Sequence, residues 1–255
     1  MREFSPFLNT GILVLRPDDV PLGSCFVFRY PNRFITAAHC VRDRRAAALA
    51  IRLPTTAFMR PFEIGGIVLH PQADLAVLEV PTISEDDITW PQYLLCDDRA
   101  LGTDFAACGY PQDYNAHGPQ LTPRFFKGYF QRFYHHASHH GYRYVAAELN
   151  IGCPAGLSGA PVFHAGFQGR LYGVVTENRE TATERESMEE VEKDGATNRY
   201  YREKVINYGT CVWLPAVAEW LDQVVPPVPD EEIARRGANQ QRLREQRQRQ
   251  PNTNG

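Results

Sequence analysis

The stretch Gly156-Leu157-Ser158-Gly159-Ala160-Pro161-Val162 places a serine between two glycines, immediately before a short apolar segment. A serine hydroxyl becomes a useful nucleophile only when an imidazole accepts its proton, and that imidazole needs a buried carboxylate to orient it. The glycines allow backbone turns that aim the N–H groups of Gly156 and Ser158 at one point, where they would stabilise an oxyanion. The stretch therefore predicts a nucleophilic serine on a tight turn.

Two upstream segments supply the other groups that this chemistry needs. Phe34-Ile35-Thr36-Ala37-Ala38-His39-Cys40 is an apolar strand that ends in a histidine, and His70-Pro71-Gln72-Ala73-Asp74-Leu75-Ala76-Val77-Leu78 has an aspartate just before a buried strand. Each segment alone has an ordinary structural interpretation, such as a half-buried histidine, a turn or a cap. Together they predict a triad of Ser158 as nucleophile, His39 as general base and Asp74 as orienting acid.

The order of the strings TAAHC, DLAVL and GLSGAPV resembles the chymotrypsin/trypsin-type (PA clan) serine peptidases, and in particular their bacterial-type members. The resemblance extends over residues 11–225. It implies that Gly156 and Ser158 form the oxyanion hole and that the strand at Thr176–Asn178 pairs with the substrate backbone. The substrate-binding residues that it implies are Gly152, Cys153, Gly173, Thr176, Glu177, Asn178 and Gly209.

Two departures from the family pattern concern specificity and control. Gly152 stands where trypsin-like specificity requires an aspartate, so we expect an uncharged P1 side chain, small to medium or apolar. A basic P1 residue would require Glu148 or Glu177 to reach into the pocket. Leu157 stands where secreted members have an aspartate that pairs with a newly cut N-terminus, so we expect activity without that salt bridge.

The first two-thirds of the chain consists of short segments rich in Val, Ile, Leu and Phe, each bounded by turn residues. This pattern predicts an all-β fold of two packed six-stranded antiparallel Greek-key β-barrels, with a short C-terminal helix and a polar, disordered or marginally helical tail. The predicted strands are Gly11–Arg16, Ser24–Tyr30, Arg33–Ala37, Leu49–Leu53, Glu63–Leu69, Leu75–Val80, Phe105–Gly109, Arg124–Phe133, Tyr142–Glu148, Ala160–Phe163, Arg170–Thr176 and Thr210–Leu214.

The predicted strands and the polar C-terminal composition divide the chain into a peptidase domain and a tail. We expect the domain over residues 1–225, with one barrel at about 8–85, the second at about 95–215 and the helix at 215–225, and an Arg/Gln-rich tail over 226–255. The polar span 177–204 predicts a partly helical surface excursion or a mobile loop.

Composition excludes several other classes of protein. The formal net charge of −3 favours neither nucleic acid nor an anionic membrane, no apolar run approaches the ~20 residues of a membrane span, and the N-terminus lacks a signal-peptide pattern. We therefore expect a cytoplasmic protein that needs no nucleic acid, membrane, cofactor or metal. A solvated tail is favoured, although its arginines leave contact with a partner or nucleic acid open.

The cysteines and histidines each leave one question open. The resemblance implies a possible disulfide between Cys25 and Cys40. Free thiols are favoured, because Ser24-Cys25-Phe26-Val27 also resembles a segment of bacterial-type members that lack this bridge, and because the N-terminus lacks a signal-peptide pattern. The string His135-His136-Ala137-Ser138-His139-His140 could hold a metal, yet no carboxylate or cysteine is near it in sequence. A hairpin tip is the favoured interpretation.

These observations predict a serine endopeptidase that acts through an acyl-enzyme. We expect limited proteolysis of specific protein partners, with a regulatory partner protein possible. Two alternatives remain: a catalytically silent binding module with the same fold, and a serine esterase that uses the same triad.

Overall fold

The computed structural model describes residues 9–54, 60–84, 88, 93–97, 99–115, 118–120, 122–191, 197–236 and 238. Two large β-sheets account for most of this chain, and a short helix follows them. The predicted all-β, two-barrel architecture is therefore confirmed, with differences in the number and length of strands. No helix in the described ranges is long and apolar enough to cross a membrane.

The first sheet contains seven strands: β1 (Thr10–Leu15), β2 (Val20–Phe28), β3 (Tyr30–Thr36), β4 (Leu49–Leu53), β5 (Arg60–Glu63), β6 (Gly66–Leu69) and β7 (Ala76–Glu79). All pairings are antiparallel, in the order β5-β4-β1-β2-β3-β7-β6. The single strand predicted over Glu63–Leu69 is two strands, because the chain leaves β4 at Ile64–Gly65 and then pairs with β7.

The second sheet contains β8 (Leu94–Leu95), β9 (Asp104–Gly109), β12 (Arg124–Ala137), β13 (Arg143–Leu149), β14 (Pro161–His164), β15 (Phe167–Val191) and β16 (Thr197–Trp213); β10 (Asp113–Asn115) and β11 (Gly118–Gln120) form a separate small hairpin. Six strands run in the order β14-β9-β12-β13-β16-β15, and pairing of β14 with β15 closes them into a ring. A closed ring leaves no unpaired edge around the circumference.

Each sheet encloses a buried core, and a third apolar cluster joins the two sheets. That cluster brings Phe26 and Val77 of the first sheet against Ala146, Val174 and Val212 of the second. All five side chains are at most 2% exposed. Burial on this scale, at about 25 cal/mol per Å² of apolar surface, fixes the two sheets against each other, so residues from both can meet along their junction.

The prediction of a helical excursion or mobile loop over 177–204 is wrong. Strands β15 and β16 continue past the ring as a long antiparallel ribbon whose pairing runs from Gly173↔Trp213 to Val191↔Thr197. The backbone register pairs Arg185 with Glu203 near the middle of this ribbon. The sequence pattern missed the ribbon because few of its residues are apolar.

The C-terminal region follows the prediction more closely. A 3₁₀ turn at Leu214–Val217 leads into α1 (Ala218–Val224), and Pro215 lies in the first turn as expected. Residues 230–236 of the predicted polar tail are helical, whereas residues 239–255 lie outside the described residues. Arg29 bonds the carbonyl of Val225 at 2.5 Å and Asp222 at 2.6 Å, which ties this region to the first sheet.

Candidate active site

His39 and Asp74 lie side by side because their strands are neighbours. His39 follows β3, Asp74 precedes β7, and the register pairs Thr36 with Ala76. The ring Nδ1 of His39 is 2.7 Å from Asp74 Oδ2, and the backbone N–H of His39 donates to Asp74 Oδ1 at 2.8 Å. Asp74 is fully buried and the His39 side chain is 16% exposed. Donation from Nδ1–H leaves Nε2 as the proton acceptor.

The pKa of His39 is raised to about 10. Burial opposes the charged imidazolium, but the hydrogen bond to Asp74, with Cys40 nearby, outweighs it. Asp74 therefore stabilises the protonated imidazole ring, and a general base needs this stabilisation once it has accepted a proton.

His70 shapes the turn that carries Asp74. Its Nδ1 accepts the backbone N–H groups of Gln72 at 3.0 Å and Ala73 at 2.8 Å, and its ring packs edge-on against Trp220 at 4.8 Å between centroids. Burial lowers the pKa of His70 and so favours the neutral ring that these two bonds need. His70 begins the segment that contains Asp74, but the sequence pattern does not indicate this role.

The nucleophile loop adopts the backbone that its glycines permit. Gly156 and Gly159 have φ of +88° and +89°, and a Cβ on Gly156 would lie 2.5 Å from the carbonyl oxygen of Tyr110. Within the described chain, neither the N–H of Gly156 nor that of Ser158 has a hydrogen-bond acceptor. The hydroxyl of Ser158 donates to the carbonyl of Thr176 at 3.1 Å rather than to His39.

Ser24 of β2 fastens this loop to the first sheet. Its hydroxyl donates to the carbonyl of Gly156 at 2.8 Å and accepts the N–H of Tyr110 at 2.9 Å, and its backbone N–H donates to the carbonyl of Ser158 at 2.7 Å. Ser24 is fully buried. The sequence analysis did not identify it, although a serine within an apolar strand is a signal for a buried hydrogen-bonding role.

The predicted substrate strand lies beside the nucleophile. The edge of β15 is occupied as far as Val175, whose N–H and C=O bond the carbonyl of Ala160 and the N–H of Gly159. Past Thr176, whose carbonyl accepts the Ser158 hydroxyl, the described chain provides no backbone partner on this edge. The edge is therefore free to receive an added strand.

Hydrogen bonds and close packing connect several of the residues that the sequence predicted for the specificity pocket. Asn178 Oδ1 accepts the N–H of Cys153 at 3.0 Å, and its Nδ2 donates to Asn207 Oδ1 at 3.1 Å. A Cβ on Gly209 would lie 2.2 Å from the sulfur of Cys153, and a Cβ on Gly152 would lie 3.3 Å from Asn207 Cβ. Gly173 lies further along β15, where this strand pairs with Trp213 of β16. A Cβ on Gly173 would lie 2.5 Å from the carbonyl oxygen of Val212.

The two acids considered for a basic P1 residue both have partners elsewhere. Glu148 binds Arg132 at 2.5 Å, and Glu177 binds His136 at 2.9 Å. His139 Nδ1 is also 3.3 Å from Glu177. No carboxylate is near the histidine string in sequence, but β15 brings the carboxylate of Glu177 to it in the fold. No group of three or more described metal-ligand residues has an arrangement that could hold a metal ion.

The histidine string forms the tip of the β12–β13 hairpin, as predicted, and this tip reaches His39. The rings of His39 and His140 are stacked, with centroids 4.7 Å apart and planes 13° apart. Arg42 holds the tip by donating to the carbonyl of His140 at 2.6 Å, and the N–H of Arg143 donates to the carbonyl of Gln72 at 2.9 Å. The sequence carried no signal for this contact.

All six cysteines are free, which confirms the favoured prediction for Cys25 and Cys40. Cys25 is fully buried and Cys40 is 3% exposed, and both belong to the core of the first sheet. Their role is therefore one of packing, as expected of buried thiols.

Known proteins of similar fold include two bacterial protease structures and one human protein. The Rv3671c protease of M. tuberculosis in its active form is 18% identical, with a TM-score of 0.58 over 88% of this chain and 85% of that one. The MamO protease domain of Magnetospirillum magneticum is 16% identical, with a TM-score of 0.60 over 87% and 99%. Human heparin binding protein is 14% identical, with a TM-score of 0.60 over 89% and 98%.

At these identities the structures show the fold alone, and no curated protein sequence matches the chain at a significant level. The trypsin-like peptidase domain, by contrast, matches residues 23–174, which is more than half of the sequence. That segment includes His39, Asp74 and Ser158. The chain belongs to the trypsin-like peptidase family.

Proposed function

We propose that the chain is a serine endopeptidase. Ser158 Oγ bonds to the peptide carbonyl carbon while its proton passes to His39 Nε2, and the resulting oxyanion accepts the N–H groups of Gly156 and Ser158. The intermediate then expels the amine, which takes the proton from His39, and water releases the acyl group by the same route. The observation that carries the proposal is the pairing of His39 with a fully buried Asp74 through both carboxylate oxygens.

The bond from Ser158 to Thr176 is compatible with this mechanism. A serine hydroxyl rotates about a single bond, and catalytic hydrogen bonds are often formed only when substrate is present. The same bond, together with the stacking of His140 on His39, favours the second candidate, a catalytically silent binding module. In that case the site would bind a peptide along β15 without cleaving it.

A small, uncharged P1 side chain fits the proposed primary pocket. Asn178 bonds both the backbone of Cys153 and the side chain of Asn207, and the Cys153 sulfur packs against Gly209. Glu148 and Glu177 are each paired elsewhere, with Arg132 and His136. A large or basic side chain would have to displace two hydrogen bonds. Such a narrow pocket supports limited proteolysis of selected partner proteins.

We further propose that Leu157 takes over the anchoring role of the absent acid. Its side chain is fully buried in the core of the second sheet, with Trp213 and Tyr172 in the same cluster. Burying a leucine contributes about 1.5–3 kcal/mol, which is enough to hold the loop without an N-terminal salt bridge. Activity would then not depend on N-terminal trimming.

A fluorophosphonate probe tests the proposal directly, because it labels only an activated serine. Untrimmed wild-type protein should be labelled and should cleave a peptide library with alanine or glycine at P1, while Ser158→Ala should do neither. Absence of labelling in a folded wild-type protein that still binds peptides would refute the protease and support the silent module. Labelling that appears only after N-terminal trimming would refute the role of Leu157.

A further inference from the structure

A polar cleft of about 460 Å³ lies between the β12–β13 hairpin and the first residues of the β15–β16 ribbon. Its lining comprises Tyr134, His135, His136, Ala137, His139, Glu177, Asn178 and Arg179. The triad does not use this cleft, yet it adjoins the free edge of β15 where a substrate strand would be added.

Glu177 is the group in the cleft whose environment is incomplete. The residue is only 8% exposed, and its Oε2 is hydrogen-bonded to His136 at 2.9 Å. Its Oε1 is buried and has no hydrogen-bond partner among the described residues. A buried carboxylate oxygen without a donor costs about 1–3 kcal/mol or more, so a donor that reached it would be bound favourably.

His139 shows where such a donor would stand. Its Nδ1 is 3.3 Å from Oε1, too poorly aligned for a hydrogen bond, and its side chain is 71% exposed. The Nδ1 of His139 therefore approaches Glu177 Oε1 from the solvent side. Because the His139 side chain is mostly exposed, a ligand can displace it at little cost. An ammonium or guanidinium group could take the same position and make the missing bond.

A bound peptide would pass this position. An added strand alternates its side chains between its two faces, and each residue advances about 3.3 Å. A peptide paired with β15 beyond Thr176 therefore carries one of its residues, about two to four before the scissile bond, past Glu177. This step rests on the proposed function, whereas the carboxylate and its cleft do not.

We infer that the cleft is a subsite for a lysine or arginine side chain upstream of the scissile bond, with Glu177 as the carboxylate that selects it. His136 keeps Glu177 in place from the inner side, and His139 is displaced on binding. Basic specificity in this chain then resides upstream of the bond that is cut, while P1 stays small and uncharged.

Arg179, also in the lining of the cleft, repels a basic ligand, and its replacement is therefore a second test of the inference. Arg179 is exposed and adds a positive charge to the rim. If the cleft selects a cation, removal of Arg179 strengthens that selection. If Arg179 instead recruits an acidic side chain, its removal abolishes binding of an acidic peptide.

Binding to the full-length Ser158→Ala variant tests the subsite without any need for catalysis. Fluorescein-labelled hexapeptides with alanine at P1 would carry lysine, its neutral isostere norleucine, or glutamate at each of the three preceding positions. At one position lysine should bind about tenfold tighter than norleucine by fluorescence anisotropy, which corresponds to about 1.4 kcal/mol.

Second substitutions in the Ser158→Ala background assign that preference to Glu177. Glu177→Gln should bring the lysine-to-norleucine ratio close to one, whereas His139→Ala and Arg179→Gln should raise it. If Glu177 only supported the hairpin, Glu177→Gln would weaken both peptides equally and leave the ratio unchanged, which would overturn the inference. Failure of every peptide to bind, or preference for glutamate, would overturn it as well.

The same peptides test the subsite and the proposed protease activity separately. Selective binding to Ser158→Ala without cleavage of any of the peptides by wild type would refute the protease and keep the subsite. Cleavage by the wild type at equal rates for lysine and norleucine peptides would support the protease and refute the subsite.

Discussion

Replacement of Ser24 by alanine should loosen the nucleophile loop from outside the triad. The hydroxyl of Ser24 is the link between two buried backbone groups, the carbonyl of Gly156 at 2.8 Å and the N–H of Tyr110 at 2.9 Å. Alanine fits the same space but offers neither a donor nor an acceptor. Both backbone groups would then stay buried without a partner.

The expected loss of stability follows from the carbonyl of Gly156 and the N–H of Tyr110, which both lose their hydrogen-bond partner. Each buried polar group left without a partner costs about 1–3 kcal/mol, and partial relaxation of the loop recovers some of it, so we expect about 2–4 kcal/mol of lost stability. For a chain of this size that corresponds to a fall in Tm of roughly 4–16 °C. Because Gly156 supplies a proposed oxyanion donor, kcat should also fall, by up to about 10²-fold.

Urea unfolding followed by tryptophan fluorescence measures the first quantity, and peptide cleavage measures the second. Thr36→Val is a matched control, since Thr36 is also buried but its hydroxyl donates to the carbonyl of Ser24 at 2.8 Å, not to a backbone group of the nucleophile loop. The control should lose about 1 kcal/mol and keep most of its kcat. Equal stability and equal kcat in the two variants would refute the role assigned to the Ser24 hydroxyl.

Three further predictions concern the base, the anchor and the pocket. Burial lowers the pKa of His39, but Asp74 and Cys40 together outweigh burial and raise this pKa to about 10, so kcat/KM should still rise between about pH 7 and 9. A plateau below about pH 7 would contradict this. Asp74→Asn should lower kcat by roughly 10³–10⁴-fold. Leu157→Asp should lower the free energy of unfolding measured in urea by about 3–5 kcal/mol, because it buries an unpaired carboxylate. Leu157→Met should lower it by less than about 1.5 kcal/mol, and similar losses for the two variants would show that residue 157 is not buried in solution. Asn178→Gly should remove the bridge across the pocket and raise kcat/KM for leucine at P1 relative to alanine by about tenfold, and an unchanged ratio would show that another group limits P1.

The local sequence was sufficient to predict most strands and the three proposed catalytic residues. Alternating and continuous apolar segments reveal strands because burial is a property of each segment, and strand Leu49–Leu53 was predicted to the residue. His39 and Asp74 were recognisable because each adjoins a strand in a short, characteristic string. The β15–β16 ribbon was missed because cross-strand pairing stabilises it, and pairing depends on a register that no single segment displays.

By itself, then, the sequence determined the all-β fold, the identity of the proposed nucleophile, base and acid, and the absence of a trypsin-like acid at Gly152. Only the tertiary structure decided what surrounds them: Ser24 under the nucleophile loop, His140 on the face of His39, and Glu177 turned toward the histidine hairpin instead of the pocket. The physical reason is distance along the chain. Strand formation depends on neighbouring residues, whereas these contacts join residues 41–132 positions apart. The closure of the second sheet brings Glu177 to His136, and the packing of the two sheets makes the other two contacts.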